Sequence, residues 1–260
     1  MTTLADRTIA ALRATHDELA ALVPGMSDEQ LTGPSGAAEW PLAQVLSHLG
    51  SGAEIGLASL SAATGDGPEP AEGFNQSVWD RWNAMSPRDQ ATGFVEHDAR
   101  LVAAYEALTA EQRENLQVDL GFATLPVAAL SGMRLSEAAQ HSWDARVALD
   151  QDAAIPESSA QLLAEQLSGP LAFMTGFIAK ADALAKPAVV EIQGSRFGIV
   201  IADGVSVTGE VANPTATFVG PLEAAIRLVG GRLTPAHTPA GVEVIGELTL
   251  DDLRKVFPGF

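Results

Sequence analysis

The 260-residue chain contains no cysteine. That excludes disulfides, thiolate metal ligands and a cysteine nucleophile together, so any thiol chemistry must bring its sulfur on a small molecule. Positive charge is scarce: lysine occurs only at Lys180, Lys186 and Lys255, and the net charge is −18 with a pI near 4.5. Nucleic acids and anionic membrane surfaces both select for basic patches, so neither is an expected partner. No run of about 18 apolar residues exists to span a bilayer. The start, MTTLADRTIAALRATHDELAAL, lacks the positive n-region and apolar core of a secretory signal, and a cytoplasmic location is expected. Aromatic residues are few at 5%, yet the apolar share of 47% is ample for proper cores and the 18% charged share argues against disorder. The length exceeds one average domain, so two are expected.

Residues 3–22 place Leu4, Ile9, Leu12, Leu19 and Leu22 at broadly helical spacing and stop before Pro24-Gly25. His16 has polar neighbours there and reads as a surface residue. A second long helix starts near Pro41, with Val45, His48, Gly52 and Ile55 forming one stripe beside Leu42, Leu46, Leu49 and Ala53. His48 therefore faces inward, as a hydrogen-bonded core histidine or as a ligand. After the Gly/Pro/acid loop 64–73 come FNQSVWDRWNAM and a helix capped by Ser86-Pro87 and Asp89. Asn75, Trp79, Arg81, Trp82 and Asn83 read as a pocket lining or as packing with a polar rim. His97, between Glu96 and Asp98, reads as a solvated face. The stretch VDLGFATLPVAALSGM is extended or hairpin-like.

The stretch Met133–Asp150 puts Glu137 and His141 on one helical face, roughly 6 Å apart along the axis, with Asp144 continuing the stripe. Such a pair is either an ordinary charged helix pair or part of a metal site that needs a third ligand from another helix. His48 is the residue that could supply it. Two imidazoles and a carboxylate suit zinc with an open coordination position, and the same set also serves non-haem iron. Arg81, Arg134 and Arg146 are possible carboxylate clamps, or partners for Asp80, Asp144 or Asp150.

Beyond a helix over 159–184 that Gly169-Pro170 should bend or split, the pattern changes at Pro187. AVVEIQG, FGIVIADG, VSVTGEV, ATFVG and VEVIG are short β-branched runs, with PLEAAIRLVGGR and TLDDLRKVF as helices among them. A strand meander with flanking helices predicts a small α+β domain of about 75 residues. The organisation expected is therefore a helical bundle over 1–155, a connecting helix over 156–186 and an α+β domain over 187–260.

Trp40 followed after seven residues by His48-Leu49, and Arg134-x-x-Glu137-x-x-x-His141-x-x-Asp144, resemble the motifs of the mycothiol-dependent maleylpyruvate isomerase family. GEVANPTATFVGPLEAAIRLVGGR and GVEVIGELTL resemble the same family's C-terminal portion, so the likeness spans essentially the whole chain. The resemblance implies an N-terminal DinB-like four-helix bundle and a small C-terminal sterol-carrier-like α+β domain. It implies His48, Glu137 and His141 as metal ligands and Asp144 as a trailing acid beside them. It also implies a catalytic arginine in the C-terminal domain, for which Arg232 and Arg227 are the candidates. Arg81, Trp82 and Asn83 are the expected cofactor contacts.

The function expected is that of a divalent-metal-dependent, preferentially zinc-dependent, thiol S-transferase or isomerase. It would act on a small electrophile, in detoxification, with mycothiol or a similar thiol as cosubstrate and as a monomer or homodimer. Two alternatives use the same three ligands: a non-catalytic, metal-stabilised protein that holds an apolar ligand, and a metal-dependent hydrolase that activates water.

Overall fold

A computed structural model describes residues 2–121 and 123–259. The chain forms two compact units, residues 1–153 and 154–260.

In the first unit each long helix has a local reason to start. Helix α1 (Leu4–Leu22) opens on a capping box in which Thr3 and Asp6 satisfy each other's backbone N–H groups. Its buried stripe, Ile9, Leu12, His16 and Leu19, runs at the three-to-four spacing of an amphipathic helix. A short α2 (Asp28–Thr32) follows, boxed by Ser27 and Gln30. Helix α3 (Leu42–Thr64) begins after Pro41 and ends where Gly65 turns left-handed at φ 80°. Next come α4 (Phe74–Asn83), α5 (Pro87–Ala107), which is capped by Ser86, and α6 (Ala110–Asn115). A hairpin of β1 (Gln117–Asp119) and β2 (Thr124–Pro126), with Val118 opposite Leu125, returns the chain to α7 (Val127–Val147), which starts straight after Pro126, so Val127–Met133 are helical where an extended or hairpin-like stretch was expected. Phe122, within that hairpin, lies outside the described residues.

Helices α1, α3, α5 and α7 make the bundle: α3 lies along α5, α1 along α7, and the contacts α1–α5 and α3–α7 close the ring. Leu19, Leu42, Val45, Leu46, Leu49, Phe94 and Ala145 share one core cluster. Helix α7 is buried around most of its circumference. Its polar residues therefore face protein rather than water, and each must find a partner there.

In the second unit, α8 (Glu157–Leu167) packs against α10 (Leu222–Val229). The segment read as a connector, 156–186, thus lies within this unit. After α8 the chain breaks at Gly169-Pro170 into two 3-10 turns and the short α9 (Thr175–Ile178). Proline's missing N–H and fixed φ account for the break. The sheet order is β5-β4-β3-β6-β7, from β3 (Ala188–Ile192), β4 (Gly198–Ile201), β5 (Val205–Thr208), β6 (Ala216–Val219) and β7 (Glu243–Gly246). The expected meander holds only for β3-β4-β5. Strand β6 crosses to the other side of β3 and pairs with it in parallel, Glu191 opposite Thr217. Ala188, Val190 and Ile192 alternate inward along β3, and α11 (Leu250–Val256) ends the chain's regular structure. Among the described residues no helix is long and apolar enough to cross a membrane.

Candidate metal centre

Helix α3 carries His48, and α7 carries Glu137 with His141 one turn further along the same face. His48 Nε2 lies 2.7 Å from Glu137 Oε2, and His141 Nε2 lies 3.6 Å from the same oxygen. One ligand atom from each of the three falls within 4.8 Å of the others. The two imidazole rings meet edge to face with centroids 4.6 Å apart.

The next turn of α7 orients the site. Asp144 is fully buried, and its Oδ2 lies 2.8 Å from His141 Nδ1. A carboxylate only accepts, so Nδ1 is the protonated nitrogen and Nε2 is the one turned toward Glu137 and His48. The preceding loop is pinned at the same place: Gly36 N–H donates to the Asp144 carbonyl at 2.8 Å. A Cβ at Gly36 would come within 2.7 Å of Val147 and 3.0 Å of the Trp143 ring, so only glycine allows this approach. Glu39 then takes the uncommon left-handed φ of 65°, and Trp40 follows it. The Trp40 ring stacks on His141 at 5.7 Å and 16° and leans on His48 at 5.2 Å. The indole thus forms an apolar wall across both imidazoles.

The site opens on one side. His141 is 12% exposed, His48 37% and Glu137 51%. Protein around the Glu137 carboxyl pushes its pKa up. The hydrogen bond from His48, electrostatic attraction to His141 and His48 and the nearby Arg134 outweigh that push and hold the group at about 2. An anionic carboxylate beside two imidazoles, one already oriented by a second carboxylate, is the donor set that a divalent cation takes. Ligands about 2 Å from a tetrahedral ion sit roughly 3.3 Å apart, and the separations here bracket that value. The residues present fit a metal.

The other residues singled out from the sequence fall elsewhere. Arg81 is paired with Glu54, whose other oxygen accepts from the Trp82 indole N–H at 2.9 Å. Trp82 is 1% exposed, so it packs the bundle and presents no face to a ligand, while Asn83 is at the surface and meets Gln44. Arg227, in the second unit, is buried in a bidentate pair with Glu223 and also donates to the His237 carbonyl. Arg232, half-buried, donates to the Gly230 carbonyl at 2.9 Å.

The expectations for His16, Asp98, Arg134 and His97 need correction. His16 is not at the surface but 5% exposed, and Asp98 is not on a solvated face but 3% exposed; the two are joined at 2.8 Å. Arg134 pairs with this Asp98 at 2.5 Å rather than with Asp80, Asp144 or Asp150. Arg146 lies 3.3 Å from Glu18. His97 is half-buried, its ring edge-on to Trp82 at 5.3 Å. The signal for the first two was available in spacing. Phe94, Asp98, Leu101 and Tyr105 lie on one stripe of α5, as Leu12, His16 and Leu19 do on α1.

No curated protein matches the chain. Two solved structures share its fold, both crystal structures of the mycothiol-dependent maleylpyruvate isomerase, one of them of a histidine-to-alanine mutant. Each aligns with a TM-score of 0.64 at 16% identity, over 95% of this chain and 98% of the other. The family model of the mycothiol maleylpyruvate isomerase N-terminal domain matches residues 12–146, more than half of the chain and the whole of the cluster around His48, Glu137 and His141. The chain belongs to that family, whose name is that of an enzyme.

Proposed function

We propose that this protein is a divalent-metal-dependent thiol isomerase or S-transferase, with zinc as the metal and mycothiol or a similar small thiol as cosubstrate. The observation that carries the reading is the convergence of His48, Glu137 and His141 from two helices, with Asp144 behind His141. Zinc held by these three residues would supply Lewis acidity at an open position, lowering the pKa of a bound thiol into the neutral range.

The chain's own residues supply the rest. Asp144 keeps the His141 proton on Nδ1, which would leave the Nε2 lone pair for a metal. Trp40 excludes water from one side of the imidazoles, which strengthens electrostatic attraction inside the site. The exposed side of Glu137 is where thiol and electrophile would enter. With no cysteine in the chain, the attacking sulfur is the cosubstrate's. Its addition to an activated double bond, followed by elimination, would be an isomerisation; its attack on an alkylating group would be a transfer. Of the two C-terminal arginines, Arg232 is the more exposed and is the better placed of the two to bind a carboxylate. Arg227, closed in by Glu223 and His237, has the surroundings of a structural residue.

The test is an assay of the metal-loaded protein with mycothiol and other small thiols against a monohalobimane. Turnover should require both metal and thiol and should disappear in Glu137→Ala. Turnover that persists without thiol would point to the hydrolase reading. A protein stabilised by apolar ligands alone, with no turnover, would point to the binding-protein reading.

A further inference from the structure

All four long helices of the bundle meet at one buried polar node beside the His48–Glu137–His141 cluster. We infer that this node, centred on Arg134, is a positioning device that sets the distance between the two helices carrying the ligands. The inference rests on the metal reading of that cluster. Arg134 stands on α7 one turn before Glu137. Its Nη2 donates to the carbonyl of Leu49, the residue after His48 on α3, at 2.9 Å, and to Asp98 Oδ1 on α5 at 2.5 Å. The other oxygen of Asp98 lies 2.8 Å from His16 Nδ1 on α1. One guanidinium therefore ties α7 to α3 at the ligand-bearing turn, and through Asp98 to α5 and α1. Helix α3 leaves room for it: the nearest atom to a Cβ placed at Gly52 would be Arg134 Nη1, at 3.3 Å.

Stability alone does not account for the arrangement. A buried ion pair rarely outperforms well-packed apolar residues of the same volume. This one also leaves Arg134 Nε buried with no hydrogen-bond acceptor among the described residues. What a planar guanidinium adds is direction: its N–H groups hold fixed angles, whereas leucine contacts tolerate sliding and rotation. A metal site needs its ligands held to about 0.5 Å, and the pairing of His48 with Glu137 spans the two helices that Arg134 bridges. Asp98 and His16 keep the guanidinium in place without touching any ligand.

The test measures metal affinity of the full chain by competition with a chromogenic chelator, together with the visible spectrum of the cobalt-loaded form. Arg134→Met and the isosteric Asp98→Asn should each weaken binding about ten- to a hundredfold and alter the cobalt bands, although no ligand is removed. Arg134→Lys, which keeps the charge but loses the fork, should recover only part of the affinity. Leu12→Ala, a core cut on α1, serves as the control: it should lower Tm while leaving affinity within about twofold. Wild-type affinity and spectrum in Asp98→Asn, or an affinity loss in Leu12→Ala that matches its loss of Tm, would overturn the node. A wild-type chain that takes up no stoichiometric metal would overturn the metal reading and the node with it, so the two failures are distinguishable.

Discussion

On α7, Glu137 and His141 stand at i and i+4; on α10, Glu223 and Arg227 do the same. In sequence each is an acid with a cationic or titratable partner one turn on. In the fold they differ in almost every respect. The Glu223 pair is sealed, both side chains being less than a tenth exposed. Arg227 grips both carboxylate oxygens at 2.8 and 3.1 Å and caps the His237 carbonyl, while the Ile155 N–H reaches Glu223 from the start of α8's segment. The Glu137 pair is open: His141 Nε2 stays 3.6 Å from the carboxylate, too far for a hydrogen bond, and the group that closes on Glu137 is His48 from another helix. An arginine neutralises its partner permanently, whereas an imidazole can exchange its proton for a metal. The spacing makes the pair, and the third residue and the access to solvent decide whether it is a brace or a site.

The comparison can be broken most directly at its open end. His48→Ala should abolish stoichiometric metal binding and thiol-dependent turnover while leaving the fold intact, because the side chain is over a third exposed. Elemental analysis showing a full complement of metal in that variant would mean the open pair is not the site. At the closed end, Arg227→Met leaves the Glu223 carboxylate buried without its counter-charge. It should cost about 3–5 kcal/mol in urea unfolding with metal stoichiometry unchanged. A smaller loss accompanied by lost metal would put Arg227 in the wrong class.

Two milder substitutions sharpen the contrast. Asp144→Asn keeps the shape behind His141 but removes the charge that fixes its tautomer, and metal affinity should fall about ten- to a hundredfold. Wild-type affinity would show that packing against Trp40 orients the ring unaided. The smallest effect belongs to a carboxylate in neither setting. Hydrogen bonds from Arg113 and from the Thr3 cap hold Asp6 at about 2, below its ordinary 3.8. Its folded pKa is the lower one, so its contribution is complete above about pH 3.8 and is lost as pH falls through about 2. The gap in urea midpoint between wild type and Asp6→Asn should therefore be present at neutral pH and close near pH 2; a gap that is constant with pH would assign it to the cap geometry alone.

Much of this was legible in the residues. The four bundle helices followed from spacing and caps, except that the first turns of α7 lie in a stretch read as extended or hairpin-like; the change at Pro187 marked the sheet, and His48, Glu137 and His141 could be placed on one stripe each of two helices. What was not legible depended on where distant segments meet. The polarity of Glu96-His97-Asp98 suggested solvent because nothing local shows that Arg134, 36 residues away, arrives at Asp98. His16 was misjudged for the same reason, its neighbours in sequence being polar while its partner lies on α5. The parallel pairing of β3 with β6 was hidden because hydrophobic alternation specifies a face, not a neighbour. Trp82 shows the limit from the other side: an indole in a polar segment reads equally as pocket or core, and burial alone separates the two.

The central claim, that His48, Glu137 and His141 hold a metal which takes up an external thiol, is tested most directly by titrating mycothiol into the cobalt-loaded protein and recording sulfur-to-cobalt charge-transfer absorption. Stoichiometric cobalt is expected, with a band that saturates with the thiol and is absent from Glu137→Ala. A chain that takes up no cobalt, or a cobalt spectrum that no small thiol alters, would contradict it.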